Sequence, residues 1–406
     1  MISMQRPLHI VFCSHPAEWV MLNMVDTLRG MNADISVFDW GKDFSFYDTN
    51  WNDIQRKKMN EGLLEHVMTE HKKSPVDLLI TYFWRRHTDG KVIDAIRDMG
   101  VKCINFGCNN MHQFRLQKPL IGHYDHHWVT EAAAVEKFTG EGASAVRVQQ
   151  GANPKHYFPL DLPREYDMTF TGSCYGDRLD IFNKVALAGI GFHVFGQRWS
   201  SKRSFQGIIG EQLVPYRVFY KYEGAGLGLG LEELKIQVLE TEHLVRRLGG
   251  VGFGEFPGMI ASNSQLLHNG LSFEDMVRLF SRSKISMNFS ACGNPSEMRH
   301  GRLVQVKLRD FEAPMSGALL FTEHQEELRE FFEVGKEIVC YNDVDDLIEK
   351  ARLYLKEPGE ADKIRVAARA RSLRDHTWEN RFEELFSKLK LGYSRKSAAQ
   401  ASRTAS

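Results

Sequence analysis

The chain has no excess of either charge: 52 Lys plus Arg stand against 52 Asp plus Glu. Nothing in that balance advertises nucleic acid or an anionic membrane as a partner. Cysteine is sparse, with six in 406 residues (Cys13, Cys103, Cys108, Cys174, Cys292, Cys340), and no two form a C-x-x-C pair or a disulfide framework. Most lie inside apolar runs, which reads as buried free thiols in a reducing compartment. No apolar run reaches membrane-spanning length, and Leu8–Cys13 is too short for a signal peptide. These absences predict a cytoplasmic protein whose association with membranes is at most peripheral. What is present is 43% hydrophobic and 26% charged sequence, the composition of a chain that buries real cores. Its length predicts two domains.

The first half alternates apolar runs with helical patterns. Strands are predicted at Leu8–Cys13, Ile35–Phe38, Asp77–Phe83, Lys102–Phe106, His127–Thr130 and Ala145–Val148. Between them fall helices at Trp19–Arg29, Asp53–His71, Gly90–Met99 and Glu131–Phe138. Near-continuous apolar strands with intervening helices mean a parallel sheet covered on both faces, with ligands at the carboxyl ends of its strands. Gly151–Pro154 and Phe158–Pro163 are turn-rich and read as a linker. The pattern then restarts with strand Tyr166–Thr171, helix Arg178–Ala188 and strand Phe192–Gly196. Residues 198–269 interrupt it with a glycine-rich stretch, Gly224–Gly230, and a helical pattern over Leu231–Leu248. The glycines do not spell G-x-G-x-x-G after a strand, so they predict a loop or flap. Further on come helix Phe273–Ser281, strand Lys284–Phe289, helix Glu326–Phe332 and strand Glu337–Tyr341. Helices over Val344–Leu355, Ala361–Arg374 and Trp378–Lys390 complete the pattern. Residues 394–406 are small and polar and predict a disordered tail.

One stretch concentrates the chemistry: Val306–Gly317, followed by the apolar run Ala318–Phe321. Glu312–Met315 reads as a short helix, Ser316-Gly317 as its stop and the apolar run as a buried strand. A turn of small residues lets a ligand approach backbone N–H groups, a cation such as Arg309 suits phosphate, and a carboxylate accepts hydrogen bonds from hydroxyls. The plainer alternative is a buried Arg309–Glu312 ion pair that closes a helix.

From Leu271 to about Phe386 the chain resembles the glycosyltransferase-like domain of the spore maturation protein CgeB family, within the GT-B, group 1 type glycosyltransferases. The resemblance is carried by Ser283–Phe289, Arg309–Gly317, Glu327-Leu328 with Phe331-Phe332, Gly335–Val339, and His376–Phe382. It implies an α/β fold of GT-B type, with two Rossmann-like doubly wound domains, a cleft between them and a C-terminal helix returning to the first. The expected division is an acceptor domain at 1–155, a nucleotide-sugar domain at 166–376 carrying the 198–269 insertion, and a returning helix at 377–393. The implied activity is transfer of a sugar from a nucleoside-diphosphate sugar to a hydroxyl of a glycan, protein or lipid-linked acceptor, as in polysaccharide or spore-coat synthesis. No cofactor or metal is expected.

On that resemblance Glu312 matches the family's acid, which meets ribose or sugar hydroxyls, and Arg309, with help from Lys307, neutralises the diphosphate. Ser316 and Gly317 would line the phosphate turn through their N–H groups. Gly172, Ser173 and Arg178 form a strand–helix junction suited to a diphosphate, with Arg198 a second cation. His15, His87 and Asn109 fall on loops of the acceptor side, and His15 or His87 can be the base of an inverting reaction. The large retaining group carries E-x7-E, but Val304 stands where its first Glu belongs, so the stereochemical outcome stays open. His123–His127 also invites a zinc reading, set against alternating strand residues that face opposite ways. Two rival functions remain: a non-catalytic nucleotide-sugar-binding protein of envelope or coat assembly, and a sugar-nucleotide epimerase of the same fold.

Overall fold

The computed structural model describes residues 6–13, 17–41, 53–173, 177–196, 267–268, 271–292 and 303–393. These fall into two compact units: residues up to 156 together with those from 373 onward, and residues 157–372.

The first unit is built on six parallel strands: β1 (Leu8–Cys13), β2 (Ala33–Phe38), β3 (Leu78–Thr81), β4 (Lys102–Phe106), β5 (His126–Val129) and β6 (Ala145–Arg147). Their spatial order is β2-β1-β3-β4-β5-β6. Every residue of β1 and β3 is buried, as expected of strands covered on both faces. The helical crossovers are α1 (Glu18–Val20) and α2 (Asp26–Gly30), joined by a π-turn at Met21–Val25, then α3 (Asp53–Lys73), α4 (Lys91–Asp98), α5 (Asn110–Gln117) and α6 (Ala132–Gly140). The sequence pattern missed α5, which carries no amphipathic stripe: Asn110 and Gln117 are buried in it beside Phe114 and Leu116.

The second unit has β7 (Tyr166–Thr171), α7 (Arg178–Leu187), β8 (Phe192–Phe195), β9 (Leu267–His268), α8 (Phe273–Arg282), β10 (Ser283–Met287), α9 (Arg309–Met315), β11 (Leu320–Glu323), β12 (Val339–Tyr341), α10 (Val344–Lys356) and α11 (Pro358–Asp375). The strand order is β12-β11-β10-β7-β8-β9, again all parallel. Its core joins Phe170, Phe182, Phe192, Ile285, Phe289 and Phe321 with Leu347 and Ile364 from the last helices. Two expectations change here. Glu326–Phe332, read as a helix, is a 3-10 turn over Glu326–Glu330. The end of the 198–269 interruption is an edge strand, β9, paired in parallel with β8. The helix expected at Leu231–Leu248, the rest of that interruption and the 394–406 tail lie outside the described residues.

The last helix, α12 (Trp378–Lys388), is part of the first unit. Thr377 caps it by accepting from the Asn380 N–H, a cap that satisfies one of the four orphan donors of a helix start. Trp378 and Phe382 meet the Trp128 ring of β5 with centroids 6.2 and 5.8 Å apart, and Arg381 Nε donates to Gln150 O at 2.9 Å. Among the described residues no helix is long and apolar enough to cross a membrane.

In both sheets the strand order reverses once, between β1 and β3 and between β7 and β10. Ligands of open parallel sheets bind outside the carboxyl ends of the strands at such a reversal. In the second unit that position belongs to the residues just beyond β7 and β10.

Candidate functional site

β7 is followed by Gly172-Ser173 and β10 by Asn288-Phe289-Ser290. Arg178, the first residue of α7, lies across this reversal. Its guanidinium stands 5.0 Å from the Phe170 ring and 5.1 Å from the Phe289 ring, and Nη1 donates to Ser173 O at 2.8 Å. A buried cation held by two ring faces and a carbonyl keeps its charge at the carboxyl edge of the sheet. The Gly172 N–H is spent on Phe195 O at 2.8 Å. Gly196, at the end of β8, packs so closely that a Cβ there would lie 2.2 Å from Gly172 O. The sequence pairing of Gly172, Ser173 and Arg178 is thus one local structure. Arg198 lies outside the described residues.

After β10 the chain forms an antiparallel bridge, Ala291 to Val304, with Cys292 N donating to Leu303 O and Gln305 N to Ser290 O. Val304 is therefore a bridge residue. The bridge delivers Lys307, whose Nζ donates to Ala291 O at 2.6 Å. It also starts α9 three residues earlier than the sequence pattern suggests. Asp310 explains that start. Its carboxylate is fully buried and accepts from Lys307 N (2.8 Å), Asn288 Nδ2 (2.7 Å) and Thr322 Oγ1 (2.9 Å). One side chain thereby ties α9 to the carboxyl ends of β10 and β11. Burial raises its pKa, and the three hydrogen bonds work against that rise.

Arg309 and Glu312 form the ion pair that their i, i+3 spacing suggested, Nη1 to Oε2 at 3.0 Å. Glu312 is buried, and its Oε1 accepts from the Tyr157 hydroxyl. The Arg309 guanidinium touches Met276 Sδ and stands 5.4 Å from the Phe280 ring. Ser316 and Gly317 do not offer their N–H groups to a phosphate. Ser316 N donates to Glu312 O, Gly317 N to Pro314 O and Ala318 N to Ala313 O, while Gly317 adopts φ +72°. That is a Schellman ending, in which the left-handed glycine closes the helix on its own carbonyls. This turn is the negative end of α9 and repels an anion rather than cradling one. Glu323, at the carboxyl end of β11, accepts from Ala291 N through Oε2 at 3.2 Å. Tyr157 and Glu323 had no signal in the sequence, and Asp310, inside the Arg309–Gly317 motif, was given no role of its own. Tyr157 falls between two turn-rich pieces, and burial of a carboxylate cannot be read from its neighbours.

In the first unit His87 is fully buried. Its Nδ1 accepts from Trp84 N at 3.0 Å, and its ring stacks on Trp84 at 5.7 Å. A base must reach a bound hydroxyl, so His87 is corrected from candidate base to core residue. Asn109 is the N-cap of α5 without a capping side-chain bond, and His15 lies outside the described residues. The His123–His127 run disperses. His123 pairs with Asp94, Asp125 with Arg97 and His126 with Ser144, while His127 is buried between Tyr124 and Phe138. Among the described residues no group of three or more His, Cys, Asp or Glu is placed to hold a metal. Asp343-Val344-Asp345 spells D-x-D, but Asp343 caps α10 by accepting from Asp345 N and Asp346 N. An open depression of about 510 Å³ beside Asp98 and Lys102 lies at the amino ends of β4 and β5, the opposite edge from the reversal.

A family model described as "Glycosyl transferase-like" matches residues 231–387, which include α8 to α11 and the Arg309–Glu312 pair. No curated protein is a significant sequence match. Several solved structures are similar over almost the whole chain. Sucrose-phosphate synthase from Thermosynechococcus elongatus is 15% identical, with 94% of this chain and 99% of that one covered at a TM-score of 0.53. HepE from Anabaena, in complex with UDP and glucose, is 10% identical, with 94% and 99% covered at 0.55. A glycosyltransferase from Rickettsia africae ESF-5 is 11% identical, with 95% and 98% covered at 0.54. The fold is therefore GT-B, and residues 231–387 are similar to the glycosyl transferase-like family model.

Proposed function

We propose that the protein is a CgeB-like glycosyltransferase of hexosyltransferase type that moves a sugar from a nucleoside-diphosphate sugar to an acceptor hydroxyl. The observation that carries this reading is Glu312: a buried carboxylate held by Arg309 and Tyr157 inside the segment that matches the family. In the reaction the acceptor oxygen bonds to the anomeric carbon as the bond to the diphosphate breaks. The nucleotide leaves with the electron pair, and the acceptor proton passes to solvent or a base. Glu312 accepts hydrogen bonds from donor hydroxyls. Arg178 and Lys307 supply positive charge at the carboxyl edge where the diphosphate charge grows, the electrostatic role that a metal serves elsewhere. The second unit is thus the donor domain and the first the acceptor domain, with the acceptor a glycan, protein or lipid-linked carrier. The described cysteines are free thiols and mostly buried, consistent with a cytoplasmic enzyme.

HepE was solved with UDP and with UDP-glucose, so UDP heads the ligands to test. A thermal-shift series over UDP, GDP, ADP, CMP and dTDP with their sugars should show one nucleotide diphosphate raising the melting temperature well above its nucleoside. Glu312→Gln should weaken that nucleotide at least about tenfold and cut transfer further, since it trades a charged acceptor for a neutral one. Unchanged affinity and rate would remove Glu312 from the site. Binding without turnover on any acceptor would mark a binding protein, and free nucleotide with an altered sugar in the absence of acceptor an epimerase.

A further inference from the structure

Both oxygens of Glu312 are held, and the two holders share a support. Tyr157 donates to Oε1 and Arg309 pairs with Oε2. The Tyr157 ring meets Phe273 edge-on, with centroids 5.0 Å apart at 77°, while the Arg309 guanidinium touches Met276 and faces Phe280. Phe273, Met276 and Phe280 have the i, i+3, i+7 spacing of one helical face. A single stripe of α8 therefore backs both groups that grip the carboxylate. Tyr157 itself is 1% exposed. Its ring would fill the same space without the oxygen, and a buried phenol costs free energy unless its hydroxyl is bonded. The hydroxyl gives Glu312 a hydrogen bond that a phenyl ring lacks.

We propose that Tyr157 is a positioning residue for donor recognition, its hydroxyl fixing the plane of the Glu312 carboxylate so that it accepts from two vicinal hydroxyls of the donor. This rests on the reading of Glu312 as a donor contact. A carboxylate has about four lone-pair sites, and pinning its plane from both ends fixes where the others point. A diol needs two acceptors at set positions, so a carboxylate free to rotate about its terminal torsion binds a diol less well than one held in place. The vicinal hydroxyls belong either to the ribose or to the transferred sugar.

The test is calorimetric titration of full-length wild-type protein and Tyr157→Phe with UDP, 2′,3′-dideoxy-UDP and UDP-glucose. The expected result is about a tenfold rise in Kd for UDP in Tyr157→Phe and no change for the dideoxy ligand, which assigns the ribose diol. A rise confined to UDP-glucose assigns the sugar hydroxyls and also supports the proposal. The variant keeps the ring against Phe273, so it should fold, with its melting temperature lowered only by the one lost hydrogen bond. In a Glu312→Gln background the Tyr157→Phe penalty should vanish. Equal losses for all three ligands, or no loss for any, overturn the proposal while leaving the glycosyltransferase reading intact. Wild-type protein that binds none of these ligands, nor the other nucleotide diphosphates with their dideoxy forms, overturns both.

Discussion

His127 sits in β5 with 1% of its surface exposed, flanked by the rings of Tyr124 and Phe138. Burial is the chief reason that its pKa falls from 6.5 to about 4. The folded state therefore refuses a proton that the unfolded chain accepts. Stability is full above pH 6.5 and is lost as pH falls from 6.5 towards 4, by about 3 kcal/mol in all. Urea midpoints of wild type measured at pH 7.5, 5.5 and 4.5 should fall accordingly, and His127→Phe should flatten the decline. A wild-type midpoint that is level across this range would contradict the assignment. The same residue shows why histidine is hard to read from sequence. His87 and His127 were candidates because they lie beside polar loop residues or in a histidine-rich run, yet both are enclosed by aromatic rings. Glu312 and Arg309 were easier, because i, i+3 spacing on a helix brings opposite charges together whatever the surroundings.

At the scale of elements, α9 depends on Asp310. Removing that carboxylate leaves the Lys307 N–H, the Asn288 amide and the Thr322 hydroxyl without their buried acceptor. Asp310→Ala should cost about 3 kcal/mol or more. Asp310→Asn keeps an acceptor for two of the three donors and should cost less. Denaturant titration of the two variants gives the order directly, and an Asp310→Ala protein as stable as wild type would show that α9 is held by packing alone. Most strands and helices were legible because the apolar runs of a parallel sheet and the apolar stripes of its helices are local patterns. Lys102–Phe106 and Tyr166–Thr171 were read to the residue. What escaped was set by distant partners. The Glu326 segment is a 3-10 turn despite its helical composition, α5 buries amides instead of an apolar stripe, and β9 exists because β8 is beside it. In the candidate site the motif from Arg309 to Gly317 was visible, but its internal hydrogen bonding was not. The glycine that looked like a phosphate turn closes a helix, and the tyrosine that holds the central acid lies 155 residues away in the chain.

For the whole molecule, the chain leaves the first unit at 156 and re-enters it at 373, so that unit is complete only when α12 is in place. Trp378 is fully buried against Trp128 and Phe382. Around it, Ala152 and Thr377 form a bridge and Trp378 N donates to Ala152 O at 3.2 Å. Trp378→Ala removes one of the two buried tryptophans of this junction and should cost about 3–5 kcal/mol. Chains of two units need not unfold in one step, and this gives the variant a second use. In a thermal scan Trp378→Ala should lower the transition of the first unit. A nucleotide diphosphate bound in the second unit should raise the other transition by mass action. If the ligand instead raises the transition that Trp378→Ala lowers, the donor is held by the first unit and the assignment of Glu312, Arg178 and Lys307 to it fails. Separate responses would place the donor chemistry in the unit that carries those three residues.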